Sequence, residues 1–383
     1  MSAAPGHRAS LAAILSACTA YGIGMGLTLP LLSLVLERMG VTGSMNGLNL
    51  ATAGLAALVV TPYVPHWIKV LGAAKLLALS LAGSAVCLLV LYEVPSLWLW
   101  FPVRFVLSAA LNGLFVATEF WINRLADESN RGRYVALYSI CLAGSFGVGP
   151  LVLQVIGTRG IAPFLAGTGM LILAMVPVLL ARKTAPRIEE GEHGSVLSVL
   201  RFAPAAFAAA AVFGAIDAGM AGLLPVYAVR LGYSEGHAAL AVTAMAGGSI
   251  LFQYPIGWLA DHMARRHLLA LCALAGVLGA VVLPFAAYTP ALFYLDLFFA
   301  GGLVLGIYSV GLTLLGERFK GASLATANAG FVMAYCLGML VGPAAEGWAL
   351  DAWDPHGLAV VFGLICLGYL VFLLVPRAAK PLP

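Results

Sequence analysis

Charge is what this sequence has least of. Only 9% of its 383 residues are Asp, Glu, Lys or Arg, where a soluble globular chain carries roughly a quarter. That scarcity excludes an ordinary water-soluble domain. Cysteine is sparse too: Cys18, Cys87, Cys141, Cys272, Cys336 and Cys366 fall inside apolar runs, with no metal-ligand spacing and no sign of a disulfide framework. They read as small apolar packing residues. No Met-x-x-x-Met or His-x-x-x-Met pair occurs, so a copper ladder has no support. A glycine-rich phosphate loop is missing, which argues against a nucleotide-driven pump or any nucleotide cofactor. No Ser-His-Asp or His-Glu-x-x-His grouping suggests a hydrolase, and no catalytic set is visible. The formal net charge of +4 is spread over many short loops and points to no nucleic-acid partner.

Apolar side chains fill the space that charge leaves. They make up 62% of the chain, and the mean hydropathy is +1.00. They fall in runs of about twenty residues or more, long enough to cross a hydrocarbon core ~30 Å thick as helices. The short alternating segments of a membrane barrel are absent. The pattern predicts twelve spans. In the first half they are Leu11–Leu36, Met45–Pro65, Ala73–Tyr92, Leu97–Trp121, Tyr134–Ile156 and Gly160–Ala181. In the second they are Pro204–Val229, Gly236–Ala260, His267–Tyr288, Pro290–Leu315, Ala322–Leu350 and Gly357–Pro376. Gly22, Gly24, Gly26 and Pro30 interrupt the first run, which is also too long for a cleaved leader, so it is read as a retained span. One long polar stretch, Arg182–Arg201, divides the chain near its middle. The expected organisation is a six-helix bundle over 1–181, a linker over 182–203 and a second bundle over 204–383.

Lys and Arg fix the expected orientation. With both termini in the cytoplasm, sixteen of the twenty basic residues fall on that side. Only Arg38, Arg159 and Arg230 face outward, and Arg104 lies within a span. The halves also repeat weakly. Gly24-Met-Gly-Leu-Thr-Leu-Pro30 aligns with Gly219-Met-Ala-Gly-Leu-Leu-Pro225 at an offset of 195, and Cys141 with Cys336 at the same offset. Gly149-Pro150 and Gly342-Pro343 stand 193 apart and read as paired helix-packing sites. Two parallel repeats with a site near the midplane between them are a common transporter plan.

The segment Gly257-Trp-Leu-Ala-Asp261-His-Met-Ala-Arg265-Arg266 resembles the loop motif of the major facilitator superfamily, Gly-x-Leu-Ala-Asp-Arg-x-Gly-Arg-Arg. His262 and Ala264 stand at its Arg and second Gly positions. Such a loop suits a gate: Gly257 would let helices approach, Asp261 would cap or pair, and Arg265 and Arg266 would bridge to a neighbouring helix end. Plain positive-inside anchoring is the alternative. The matching first-half segment, Pro62-Tyr-Val-Pro-His66-Trp-Ile-Lys69, lacks the glycine, the acid and the paired bases. Glu119-Phe-Trp121-Ile-Asn123, with Arg131-Gly132-Arg133, is similar to the YcaD-like branch of that superfamily. The resemblance implies the all-α fold of two pseudo-symmetric six-helix bundles. It also implies alternating-access transport in the bacterial inner membrane by a monomer, with presumed drug exporters and importers of metals or vitamins among the branch's neighbours.

Ionisable residues inside spans cost at least ~2.5–3.5 kcal/mol each on insertion scales, so each asks for a reason. Asp217 lies near the middle of the seventh span, where it would exchange a proton or hold a cationic substrate, or else be tied to a structural partner. Arg104 matches the arginine of the antiporter motif in the fourth helix. Its two readings are an anchor for an anionic group or a donor to backbone carbonyls. Glu119 is placed as a latch toward Lys69 or Arg131, with proton carriage second, and Glu317 as its counterpart toward Arg265 or Arg266. Asp296 reads as interfacial. Tyr21, Asn112, Gln253, Asn328 and Tyr335 could line a cavity or bond between helices. The expected partners are a small-molecule substrate, protons and lipid. Export of an amphipathic or cationic compound leads, with nutrient import as the rival and a non-transporting sensor as a different class.

Overall fold

The computed structural model describes residues 5–126, 131–186, 202–319 and 321–375. Most of the linker, 187–201, lies outside them, and so does the side chain of Arg131. Helix dominates, with no strand among the described residues. In chain order the helices are α1 (Pro5–Arg38), α2 (Gly43–Val60), α3 (Val64–Leu71), α4 (Ala73–Glu93), α5 (Leu97–Leu125), α6 (Arg131–Ile156) and α7 (Ala162–Leu180). The second half contributes α8 (Pro204–Arg230), α9 (Glu235–His262), α10 (Arg265–Ala286), α11 (Pro290–Arg318), α12 (Gly321–Ala352) and α13 (Gly357–Leu374). Among the described residues, twelve helical stretches are long and apolar enough to cross a membrane, one of them running from Gly43 to Leu71.

That stretch differs from its expected end at Pro65. A single 3-10 turn, Thr61–Tyr63, separates α2 from α3, and the helix then runs on to Leu71. Pro62 and Pro65 both sit in the first turn of the piece they enter, where a missing N–H is harmless. The degenerate first-half motif is therefore helical, and the chain reverses at Gly72, whose φ of 82° suits a residue without Cβ. The second-half motif is likewise helical through His262, leaving only Met263 and Ala264 between α9 and α10.

The described residues form two compact units. One takes those in Met1–Val35 and Leu55–Glu190, the other those in Leu36–Gly54 and Gly191–Pro383. In the first unit α4 packs on α5 and α7, and α1 crosses α6 at glycines. A Cβ on Gly26 would stand 2.0 Å from the Phe146 carbonyl oxygen, and one on Gly149 2.4 Å from the Gly26 backbone. Pro150 follows within α6. In the second unit α8 packs on α12, α9 on α11, and α10 on both α11 and α13. The α8–α12 seam repeats the device. A Cβ on Gly214 would meet the Tyr335 carbonyl oxygen at 2.2 Å, and one on Gly342 the Ala215 backbone at 2.4 Å, with Pro343 next along α12. Close backbone approach at small residues is how helices associate in lipid, where the hydrophobic effect gives no drive between them.

The second unit has an apolar floor and a polar rim. Ala206, Phe207, Ala210, Leu315, Phe319, Ala327 and Phe331 make one buried cluster where α8, α11 and α12 meet. At the other end, residues 36–54 join the unit through an ionic network. Arg230 at the end of α8 donates from Nε to Glu37 Oε1 at 2.8 Å and from Nη2 to Oε2 at 3.1 Å. Its Nη1 donates to Asp354 Oδ1 at 2.9 Å and stands 3.5 Å from Asp351 Oδ1. Asp351 in turn caps α2: Gly43 N donates to its Oδ1, and Ser44 N and Oγ to its Oδ2, all at 2.7 Å. An anionic group at a helix N-terminus satisfies orphan N–H groups and complements the dipole.

Candidate functional site

Asp217 and Tyr335, on different helices in sequence, meet in the structure. The Tyr335 hydroxyl of α12 donates to Asp217 Oδ2 of α8 at 2.7 Å. Two glycine contacts fix that register, Gly214 against Tyr335 and Gly342 against Ala215. Around the pair stands a group of rings. Phe213 stacks on Tyr335 with centroids 6.1 Å apart, and Tyr308 of α11 sits edge-on to Tyr335 at 5.8 Å. Tyr308 also meets Phe213 at 5.4 Å and Phe331 at 5.1 Å. One carboxyl among aromatic faces can receive a proton, or a cation that the rings also attract. Gln253 on α9 and Asn328 on α12 are exposed and make no part of this cluster.

In the first unit Arg104 is 2% exposed, and its Nη1 has no hydrogen-bond partner. A buried guanidinium with an unmet donor is a site in want of an acceptor. Asn112 donates from Nδ2 to Thr61 Oγ1 at 2.8 Å, which makes it an interhelical tie. Tyr21 stacks on Phe115 at 5.1 Å. Glu119 is exposed near the end of α5, with its backbone carbonyl accepting from Asn123 Nδ2 at 2.8 Å. Lys69 lies in the last turn of α3.

The second-half motif divides into parts with separate jobs. Arg265 pairs with Glu317 at the end of α11. Arg266 binds the end of α13 instead, donating from Nε to Leu373 O at 2.8 Å and from Nη2 to Val375 O at 2.6 Å. A cation on the last carbonyls of a helix is favoured twice, by the hydrogen bonds and by the dipole. Asp261 is exposed, and His262 stacks on Trp258 at 4.3 Å. Gly257 does not serve close approach: no atom lies within 4 Å of where its Cβ would be. The reason is its place on an exposed stretch of α9.

The residue that sequence reasoning passed over is Glu346. It sits on α12, 0% exposed, with neither carboxyl oxygen hydrogen-bonded. The Arg230–Glu37–Asp351 network was also missed, with Arg230 expected only as an outward loop base. Glu346 lies just four residues inside the predicted end of its span, where an acid passes for an interfacial one. Its flanking Gly342 and Gly347 were the available signal of a buried crossing.

The architecture of twelve spans with paired glycine crossings is matched by comparison. The model of the Major Facilitator Superfamily matches residues 13–240 and 206–383. The chain belongs to the Major Facilitator Superfamily. It is therefore a secondary transporter of small molecules in a membrane and not an enzyme. Superfamily relatives include the uncharacterized MFS-type transporter YfkF of Bacillus subtilis (strain 168), 26% identical over 348 residues, covering 88% of each chain. YcaD of Escherichia coli (strain K12 / DH10B), another uncharacterized MFS-type transporter, is 26% identical over 290 residues, covering 75% of this chain and 74% of its own. That agrees with the branch implied by Glu119–Asn123 and Arg131–Arg133. Among solved superfamily structures, the nucleoside transporter NupG superposes with a TM-score of 0.74 at 16% identity, covering 95% of this chain and 97% of its own. The D-xylose–proton symporter gives 0.72 at 17% identity, covering 98% and 99%. At such identities these two establish the fold.

Proposed function

We propose that the protein exports an amphipathic or cationic compound in exchange for protons, with Asp217 as the group that alternates between them. The observation that carries this reading is the Asp217–Tyr335 hydrogen bond set among Phe213, Tyr308 and Tyr335. Inside a span a bare carboxylate is costly, so the site is stable when neutralised by a proton or by a cationic substrate, and not when empty and charged. Mutual exclusion at one carboxyl is the simplest coupling for exchange. The flat aromatic faces add affinity for an apolar body carrying positive charge, and a Tyr hydroxyl orients the carboxyl without neutralising it.

A second reading rests on Arg104. Its buried, unmet Nη1 suits an anionic group and favours uptake of a nutrient that bears one. Proton movement into proteoliposomes carrying a trapped pH dye separates the two. Cationic drugs that trigger flux in wild type but not in Asp217→Asn support export with Asp217 as carrier. Flux with anionic compounds only, lost in Arg104→Gln, overturns it. Concentrative transport that survives Asp217→Asn removes Asp217 from the coupling step.

A further inference from the structure

Glu346 belongs to neither cluster described above, yet it is the most completely enclosed acid in the described chain. Its carboxyl lies against the backbone of α8 so closely that a Cβ on Gly219 would stand 1.7 Å from Oε2. On either side of it along α12, Pro343 and Gly347 carry the first turns of α2. A Cβ on Gly47 would stand 2.1 Å from the Pro343 carbonyl oxygen and 3.1 Å from Gly347 Cα, and one on Gly347 2.2 Å from the Gly43 carbonyl oxygen. α2 itself carries a second orphan. Asn49 is 0% exposed, and neither its Oδ1 nor its Nδ2 has a hydrogen-bond partner. Its register is set by two neighbours: Leu50 fills the space beside Gly222, and Ala53, one turn on, packs with Ala218 and Met339. Glu346 on α12 and Leu50 and Ala53 on α2 thus reach the same stretch of α8, between Ala218 and Gly222.

What faces Glu346 decides its state. From α13 the Cys366 thiol stands within electrostatic reach of it, and from α8 it lies against the Gly219 backbone, whose carbonyls serve the helix. On α8, Asp217 is bonded to Tyr335. No base among the described residues pairs with Glu346. A metal cation would want about six oxygen ligands, more than these neighbours offer. A proton needs none.

We propose that Glu346 is a proton site gated by the segment 36–54: it holds a proton while that segment is docked on α8 and α12, and releases it to water when the segment lifts. The step is one O–H bond broken on undocking, with the proton going to solvent at the Arg230 end, and one formed on redocking. Linkage fixes the sign. The docked form holds one more proton than the undocked form, so docking is favoured at low pH and lost as pH rises, by up to about tenfold per pH unit for one proton. The rim carboxylates Glu37, Asp351 and Asp354 have Arg230 as their counter-charge when docked.

This inference rests on transport by alternating access but not on Asp217, export or substrate. The test is hydrogen–deuterium exchange of the full chain in lipid nanodiscs, reading the amides of 45–54 across pH after correction for intrinsic chemical rates. Wild type should open more as pH rises, approaching tenfold per unit. Glu346→Gln, which keeps the neutral shape, should flatten that slope and stay docked. Arg230→Met should raise opening at every pH while keeping the slope. A flat or inverted wild-type slope overturns the proposal whether or not any variant folds, and so does a slope that persists in Glu346→Gln. Proteoliposome flux judges the export reading separately: its loss with an intact slope would sink that reading alone.

Discussion

Gly342→Ala is the sharpest test of the packing described above, because two known effects of one methyl group pull against each other. Alanine in a helix interior is worth about 1 kcal/mol more than glycine. Against that, the new Cβ would stand 2.4 Å from both the Cα and the carbonyl oxygen of Ala215, where ordinary contact begins near 3.4 Å. Neither atom can swing away, since both belong to the backbone of α8. The two helices must part by about 1 Å, and a radial gap of ~0.5–1 Å already forfeits a quarter to a half of each dispersion contact. The loss runs along the whole seam, through Gly214 and Gly338 as well, whose own added Cβ atoms would stand 2.2 and 2.0 Å from backbone oxygens. Overpacking of this kind costs ~1–3 kcal/mol, and the rigid contact places Gly342 at the upper end. Net destabilisation of about 2 kcal/mol is expected after the helix gain is subtracted. Gly368→Ala on α13 is the control, for nothing lies within 4 Å of its added Cβ. It keeps only the helix term and should be stabilised by up to about 1 kcal/mol. The protein carries its own reporter: Cys18, Cys87, Cys272, Cys336 and Cys366 are buried, so a thiol-reactive dye in detergent reads their release on heating. A Gly342→Ala midpoint at or above wild type would refute the reasoning.

Three further perturbations use the same assay or the flux assay. Tyr335→Phe removes the donor to Asp217 while keeping the ring, so it should lower gradient-driven flux several-fold with stability changed by only about 1 kcal/mol; unchanged flux would strip the hydroxyl of its role. Arg266→Met, losing two charged bonds to helix-end carbonyls, should cost ~1.5–3 kcal/mol in thermal unfolding. Glu317→Gln should cost no more than about 1 kcal/mol and lose even that in high salt, because its side chain is 54% exposed. Equal costs for the two would contradict the assignment of separate jobs to the adjacent arginines.

The helices were legible because lipid leaves the backbone no alternative: an apolar run of about twenty residues must bond to itself. Even the glycine crossing at Gly149 could be anticipated from its repeat at Gly342. What escaped was whatever depends on which face a residue turns. Gly257 looks like a packing glycine in its motif, yet its side of α9 is bare, whereas Gly219, marked only by the repeat it shares with Gly24, lies hard against Glu346. Pro62 and Pro65 look like stops, but a proline can open a helix as well as end one. Asp217 was found through its depth, and its partner Tyr335 only as one of several polar residues; no periodicity states that positions 118 apart share a bond. Glu346 was hidden by being near the end of its run, where the cost of an acid is judged by depth alone and enclosure by a neighbouring backbone is invisible.

The clasp of Arg266 on Leu373 and Val375 bears on how the protein is made. Its two ends are 107 and 109 residues apart, so through most of the synthesis of the second half the guanidinium has emerged before its acceptors exist. Water or headgroup phosphates must hold it until α13 is threaded, and the handover to the two carbonyls can close only when that helix is in place. The same clasp makes the stretch just after α13 a poor place to cut or fuse. A truncation before Val375 would remove one acceptor and strand a cation prepared for it, whereas a tag joined farther along leaves both carbonyls where Arg266 can reach them.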